Sequence, residues 1–180
     1  MKKSAFFSSD HKYRYRLDRD WGCWNKVLCF VMLNPSTANE FEDDPTVRKC
    51  VSFGKEWGYS GIVIVNLCAI VSADPTKLLT APDPIGLCGN DKYIGDAAML
   101  ASKIIAAWGD YGSHLTGRVE HVLEILNWRP VFCLGINKSG QPRHPLYVKK
   151  TPEYALQVYR PSVMKLADSS EIFESIRGNN

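Results

Sequence analysis

Four predominantly apolar runs recur along the chain, and a polar or glycine-containing turn follows each of them. The runs are Val27–Leu33, Ile62–Val65, Lys103–Trp108 and Val131–Leu134. The first run shows no alternation of apolar and polar residues, which is typical of a strand buried on both faces of a parallel sheet. The pattern therefore predicts four central strands.

Helical spacing of apolar residues characterises the segments between these runs. Pro45 suits the first turn of a helix that ends near Gly58, and Asn90 or Asp91 is expected to cap the next helix. The predicted helices cover residues 45–57, 90–100, 119–126 and 170–176. Because helices alternate with apolar strands, we predict an α/β fold: a three-layer α/β/α sandwich with a central, four-stranded, mainly parallel sheet.

The two ends of the chain depart from this pattern. Near the N-terminus, Tyr13, Tyr15 and Leu17 alternate with arginines, so we interpret residues 1–25 as an extended arm. Residues 151–180 are interpreted as a tail that carries the short C-terminal helix. Because no repeat, linker or low-complexity segment divides the chain, we expect a single domain.

The composition narrows the class of protein. Apolar residues make up 45% of the chain and charged residues 23%, which is the balance of a soluble globular protein. The apolar runs are far shorter than the ~20 residues that span a bilayer, and the N-terminus lacks the apolar core of a signal peptide. The six cysteines form no Cys-x-x-Cys pair, which favours buried thiols over a metal site. We expect a cytoplasmic monomer without metal or cofactor.

The net charge of +3 permits binding to nucleic acid without requiring it. One basic cluster near the N-terminus comprises Lys12, Arg14, Arg16 and Arg19, and a second comprises Lys138, Arg143, Lys149 and Lys150. A solvated surface is the plain interpretation of each cluster. The second cluster gains weight as a DNA-contacting surface because it flanks His144.

Polar or glycine residues stand where each predicted strand ends. In parallel α/β sheets, ligands bind beyond the carboxyl ends of the strands. That rule places Asn34, Asn66, the Trp108-Gly109 pair and the Gly135–His144 loop along one edge of the sheet. The sequence therefore predicts a ligand cleft at this edge.

Three polar side chains at this edge are candidates for chemistry. Asn66 ends an otherwise apolar strand, and its amide offers both a donor and an acceptor, which suits the edge of a nucleic-acid base. Asn34 with Pro35 could equally form a simple turn. Pro145 biases the preceding His144 to an extended conformation and so fixes its direction.

Two adjacent carboxylates, Asp43 and Asp44, precede the first predicted helix. Their ordinary role would be helix capping. A general base or a group that stabilises a cation is the functional alternative.

Four motifs, in order, resemble those of the uracil-DNA glycosylase superfamily. They are VMLNPSTA (Val31–Ala38), IVIVN (Ile62–Asn66), IIAAWG (Ile104–Gly109) and RHPLY (Arg143–Tyr147). The resemblance covers roughly residues 27–150 and implies a fold like that of these glycosylases. The whole chain is also similar to an uncharacterised conserved-domain family of bacterial and phage proteins.

The resemblance implies a role for each motif position. Asn34 would hold the attacking water, Asn66 would hydrogen-bond the base of a flipped nucleotide, and His144 would stabilise charge on the departing base. The expected substrate-binding residues are Pro35, Ser36, Thr37, Asn66, Trp108 and Gly109. The expected DNA-binding residues are Arg143, Tyr147, Lys149 and Lys150.

Two positions depart from the most uracil-restricted members, which have Asp before the proline and Tyr after it. This chain has Asn34 and Ser36. An amide orients water but does not deprotonate it, so Asp43 or Asp44 could supply the missing anion. The small Ser36 would leave room beside position 5 of a pyrimidine.

The implied activity is that of a monofunctional DNA glycosylase, since no lysine falls within the motifs to form a Schiff base. Its substrate would be a modified or damaged pyrimidine, such as a hypermodified phage base, and its role base excision or anti-phage defence. Two alternatives stay open: an enzyme acting on free nucleotides or nucleosides, and a non-catalytic nucleic-acid-binding relative. Salt-dependent binding to DNA would distinguish a DNA glycosylase from an enzyme that acts on free nucleotides or nucleosides.

Overall fold

The predicted apolar runs form the centre of a mixed seven-stranded sheet. The computed structural model describes residues 1–86, 89–115 and 117–160. The strands are β1 (Lys2–Phe7), β2 (Arg14–Asp20), β3 (Val27–Met32), β4 (Gly61–Asn66), β5 (Lys103–Ala106), β6 (Val131–Cys133) and β7 (Gln157–Val158). Their order across the sheet is β1-β2-β4-β3-β5-β6-β7.

Four adjacent strands, β4, β3, β5 and β6, pair in parallel. Met32 lies opposite Asn66, and Val31 lies opposite Ala106. This register brings the carboxyl ends of β3, β4 and β5 to the same edge of the sheet, which is where a ligand cleft is expected in such folds.

The expected sheet of four strands is too small, because three more strands extend its edges. Within the predicted arm, β1 and β2 form an antiparallel pair, and β2 adds antiparallel to β4, with Leu17 opposite Ile64. Within the predicted tail, β7 pairs antiparallel with β6. These edge strands have mixed polar sequences, so the rule of continuous apolar runs does not detect them.

Three α-helices and four 3₁₀ turns connect the strands among the described residues. The helices are α1 (Pro45–Glu56), α2 (Asn90–Leu100) and α3 (Arg118–Ile125). The 3₁₀ turns are Pro75–Leu79, Asp110–His114, Pro145–Tyr147 and Glu153–Ala155. None of the helices in the described part of the chain has the length and apolar character needed to cross a bilayer. The helix expected over 170–176 lies outside the described residues.

Two hydrophobic cores lie on opposite faces of the sheet. Alternate residues of β3 divide between them: Val27, Cys29 and Val31 pack with α2 and α3, whereas Leu28, Phe30 and Met32 pack with α1. Successive side chains of a strand point to opposite faces, so helices cover both sides of the sheet. Four of the cysteines, Cys29, Cys50, Cys68 and Cys133, are buried, whereas Cys23 is exposed.

The helix starts differ in how well the sequence predicted them. Asp44 caps α1, and its side chain accepts a hydrogen bond from the Val47 amide. In α2 the residue at the cap position is Gly89, so the expectation that Asn90 or Asp91 caps this helix is wrong. Asn90 is instead fully buried, because its side chain turns inward to bond the end of β4.

Candidate functional site

A cleft of about 470 Å³ opens beyond the carboxyl ends of β3, β4 and β5. This volume is within the ordinary range of small-ligand sites. The predicted site residues that line it are Asn34, Ser36, Asp44, Asn66, Trp108, Gly109, His144 and Tyr147. Strand-end residues and the loop after β6 therefore meet in one place.

Asn66 has the most unusual environment of these residues. Its exposed fraction is 1%, and it is the last residue of β4. Neither Nδ2 nor Oδ1 of its side chain has a hydrogen-bond partner among the described residues. Burying an amide without partners is costly, so a ligand in the cleft that formed hydrogen bonds with these two groups would relieve that cost.

Two buried side chains form hydrogen bonds with the backbone carbonyl groups of Asn66 and Leu67, at the end of β4. The Nδ2 atom of Asn90 donates to the carbonyl oxygens of Asn66 at 3.1 Å and of Leu67 at 3.2 Å. Arg118 donates through Nε to the same Leu67 oxygen at 2.7 Å. The end of β4 is therefore fixed while the amide of Asn66 stays unpartnered.

Two hydrogen bonds donated by the side-chain amide nitrogen fix the orientation of Asn34. Nδ2 donates to the carbonyl oxygens of Pro35 at 2.9 Å and of Ser72 at 2.8 Å. Both amide protons are used in this way, and the two carbonyl acceptors fix which end of the amide is nitrogen. The oxygen Oδ1 remains as an acceptor that can orient a water molecule.

His144 precedes the 3₁₀ turn Pro145–Tyr147, and its Nδ1 atom accepts a weak hydrogen bond of 3.4 Å from the Leu146 amide. An accepting Nδ1 carries no proton, so the neutral ring carries its proton on Nε2. Burial lowers the pKa of His144 from its ordinary value, while the charge of Asp44 opposes that shift. At neutral pH the ring is therefore a neutral donor through Nε2.

Trp108 and Gly109 position the loop that carries His144. Gly109 donates to the Pro142 carbonyl at 3.0 Å, and its φ of +74° is a conformation that favours glycine. A Cβ atom at Gly109 would lie 3.3 Å from that of His144. The buried Trp108 ring donates through Nε1 to Gln141 Oε1 at 2.7 Å. This hydrogen bond links the end of β5 to the loop that carries His144.

The two adjacent carboxylates, Asp43 and Asp44, lie in different environments. Asp43 pairs with the fully buried Arg19 at 2.7 Å and with Lys3 at 3.3 Å, and it does not line the cleft. Asp44 lines the cleft and accepts the Val47 amide at 2.8 Å. Only Asp44 is therefore placed to act on a bound ligand.

The remaining predicted residues lie away from the cleft or at its mouth. Thr37 lines a second cavity that adjoins the cleft through Ser36 and Ser72, and Pro35 contributes its backbone oxygen to the Asn34 contact. Arg143, Lys149 and Lys150 are exposed. Tyr147, at the mouth, is 83% exposed, and its ring centroid lies 5.7 Å from that of His144.

Sequence reasoning missed several residues that line the cleft: Arg14, Ser72, Asp110 and Tyr111. Arg14 belongs to the N-terminal basic cluster, which was interpreted as a surface. Asp110 and Tyr111 directly follow the Trp108-Gly109 pair, so extending the strand-end rule by two residues would have found them.

The sheet and its polar cleft define an α/β protein with a cavity at the carboxyl edge of its parallel strands. The chain belongs to the DUF1643 family, described as a protein of unknown function, and the match covers residues 14–146. No curated protein and no solved structure matches the chain. The matched range contains every residue lining the cleft except Tyr147.

Proposed function

We propose that the chain is a monofunctional DNA glycosylase that hydrolyses the N-glycosidic bond of a modified or damaged pyrimidine. The observation that carries this is the buried amide of Asn66 in the cleft, whose donor and acceptor both lack partners within the described part of the chain. A pyrimidine presents adjacent donors and acceptors along its edge, and one amide matches such a pair. The base would reach this amide by flipping out of the DNA.

Three further groups supply the chemistry. The Asn34 oxygen orients a water molecule toward the sugar, and the Nε2–H of His144 donates to the oxygen of the departing base, where negative charge develops. Asp44 stabilises the positive charge that forms on the sugar as the bond from C1′ to the base nitrogen breaks. The water oxygen then bonds to C1′, and the proton it loses passes through solvent to the departing base anion. No lysine lines the cleft within the described chain, which favours hydrolysis over a Schiff-base route.

The small side chain of Ser36, which lines the cleft, supports a substrate larger than uracil. The resemblance to uracil-DNA glycosylases implies that a bulkier residue at this position would restrict position 5 of a pyrimidine. We therefore extend the proposal to a pyrimidine that carries a substituent, such as a hypermodified phage base, excised in base repair or anti-phage defence. The fold would be a variant of the uracil-DNA glycosylase arrangement with extra edge strands.

DNA would approach from the mouth of the cleft. Tyr147 is exposed and lines the cleft, and it would fill the gap left by a flipped nucleotide. Arg143, Lys149 and Lys150 lie on the same segment of chain and would contact phosphates. Of these, Lys150 also lies 3.6 Å from Glu56, in an exposed pair that DNA could displace.

The direct test uses oligonucleotides that contain uracil, mismatched thymine or modified pyrimidines, including hypermodified phage DNA. Excision is detected as strand cleavage after alkali. Asn34→Ala and His144→Ala should each lower the rate by a factor of about 100 or more. Absence of cleavage on every substrate would count against a glycosylase.

An enzyme acting on free nucleotides is the second candidate, because the buried cation Arg14 inside the cleft suits a small anionic ligand. The salt dependence of DNA binding separates the two. Contacts to several phosphates predict a steep loss of affinity as salt is raised, whereas a free-nucleotide enzyme need not bind a DNA duplex at all.

A further inference from the structure

The described chain buries three arginines, and two of them are paired. Arg19 lies 2.7 Å from the Asp43 carboxylate, and Arg118 lies 2.7 Å from the Asp91 carboxylate. Arg14, with an exposed fraction of 3%, has no carboxylate within the 4.0 Å that defines an ion pair among the described residues. Arg14 is also the one of the three that lines the cleft.

The hydrogen bonds of Arg14 leave most of its donors unused. Nη1 donates to the carbonyl oxygen of Ala38, and Nε is buried without a partner among the described residues. A guanidinium has five N–H donors. The cleft therefore contains a cation with several unused donors.

Burial of this kind has a physical consequence. Removal from water lowers the pKa of Arg14 to about 10, and the more distant charge of Asp44 partly opposes the shift. The side chain thus stays protonated at neutral pH. A buried cation without a partner is strongly unfavourable, and an anion bound in the cleft would relieve that penalty.

We infer that Arg14 binds a negatively charged oxygen group of the ligand, a carboxylate or a phosphate, inside the cleft. The hydrogen bond from Nη1 to the Ala38 carbonyl ties the guanidinium to the loop that carries Ser36, which also lines the cleft. Where the anion is a substituent on the pyrimidine, the inference rests on the proposed function. Where it is the phosphate of a free nucleotide, it does not.

The experiment measures binding by calorimetry, without any requirement for turnover. One arm compares 5-carboxy-2′-deoxyuridine with 5-hydroxymethyl-2′-deoxyuridine, which differ mainly in charge. The other arm compares 2′-deoxyuridine 5′-monophosphate with 2′-deoxyuridine. The anionic member of at least one pair should bind tenfold tighter or more, roughly the strength of one charge-assisted hydrogen bond. The arm that shows the preference identifies the source of the anion.

Variants at position 14 test whether this preference comes from the arginine. Arg14→Met should abolish it, whereas Arg14→Lys should keep part of it. Arg14→Met is expected to fold, because a buried charge can often be replaced by an apolar side chain of similar volume without loss of stability. Arg16→Met, two residues along β2 and outside the cleft, is the matched control and should leave the preference unchanged.

Two results would overturn the inference. The first is equal binding within both pairs, and the second is a preference that survives in folded Arg14→Met. Failure of the glycosylase proposal looks different. In that case no base is released from any DNA, while the charge preference and its dependence on Arg14 persist.

Discussion

The carbonyl oxygen of Asn66 accepts a 3.1 Å hydrogen bond from Asn90, while the side-chain amide of Asn66 has no partner among the described residues. One residue is thus fixed through its backbone and left unsatisfied through its side chain. Unsatisfied buried polar groups destabilise a folded protein. Such groups persist at functional sites, where a ligand satisfies them.

Replacement of Asn66 by Ala should therefore separate stability from function. Removing an amide that makes no hydrogen bond also removes its desolvation penalty, so we expect the free energy of unfolding to stay within about 1 kcal/mol of the native value or to rise. Base excision should fall at least about tenfold, since one reading contact is lost. Urea denaturation and the alkali-cleavage assay measure the two quantities. A large loss of stability would mean that the amide has a partner in the folded protein.

Asn90→Ala, unlike Asn66→Ala, should lower the free energy of unfolding. It removes two buried hydrogen bonds, to the carbonyl oxygens of Asn66 and Leu67. We expect a loss of about 2 kcal/mol and a fall in Tm of about 4–8 °C. The exposed Asn127 offers a matched control, since Asn127→Ala should change stability by less than about 0.5 kcal/mol. Equal Tm values for the two variants would contradict the contact network.

Much of the central fold is predictable from the sequence, for a physical reason. All six residues of β3 and of β4 are buried, so burial on both faces is written directly into apolar runs. The edge strands carry no such signal. In β2, Arg19 is fully buried because Asp43 comes from another loop to pair with it, and no local pattern reveals that pairing.

The same limit applies to the cleft. The strand-end rule places Asn34 and Asn66 together because β3 and β4 are parallel neighbours in register. It gives no information about Arg14, because β2 runs antiparallel to β4 and reaches the cleft from its amino end. The sequence likewise does not show which of Asp43 and Asp44 faces the cleft, because Asp43 is turned away by its contacts with Arg19 and Lys3 on strands β2 and β1.

His144 makes stability depend on pH. Burial lowers its pKa below the ordinary value of 6.5, so the folded chain binds this proton less readily than the unfolded chain. Stability contributed at this site is therefore complete above the ordinary pKa, and it is lost as pH falls toward the lowered pKa. Relative to His144→Gln, the native protein should lose Tm as the pH falls from about 7.5 through the ordinary pKa of 6.5. If the Tm of the native protein and that of His144→Gln changed equally with pH, the lowered pKa of His144 would be contradicted.

Gly109→Ala tests whether the glycine positions the loop that carries His144. Both Gly109 and Gly58 have positive φ angles, +74° and +71°. Substitution by Ala should cost about 1–2 kcal/mol at Gly58 and about 1–3 kcal/mol at Gly109, whose ψ of −172° places it in a region of backbone conformation essentially restricted to glycine. A Cβ at Gly109 would also press on His144 at 3.3 Å, whereas nothing lies within 4 Å of one at Gly58. We expect excision to fall only in Gly109→Ala. A comparable rate loss in both variants would indicate that general destabilisation, not loop position, limits activity.

Substitutions of the two neighbouring carboxylates, Asp43 and Asp44, should have clearly different effects on stability and on excision rate. Asp43→Asn breaks the pair with buried Arg19, and loss of one partner of a buried pair costs about 3–5 kcal/mol. Asp44→Asn keeps a good helix cap, because asparagine caps as well as aspartate, and removes only the charge that faces the cleft. Stability should thus fall in the first variant, and the excision rate, by about tenfold or more, in the second. Measured under conditions where both variants are folded, full activity in Asp44→Asn would leave this carboxylate with a capping role alone.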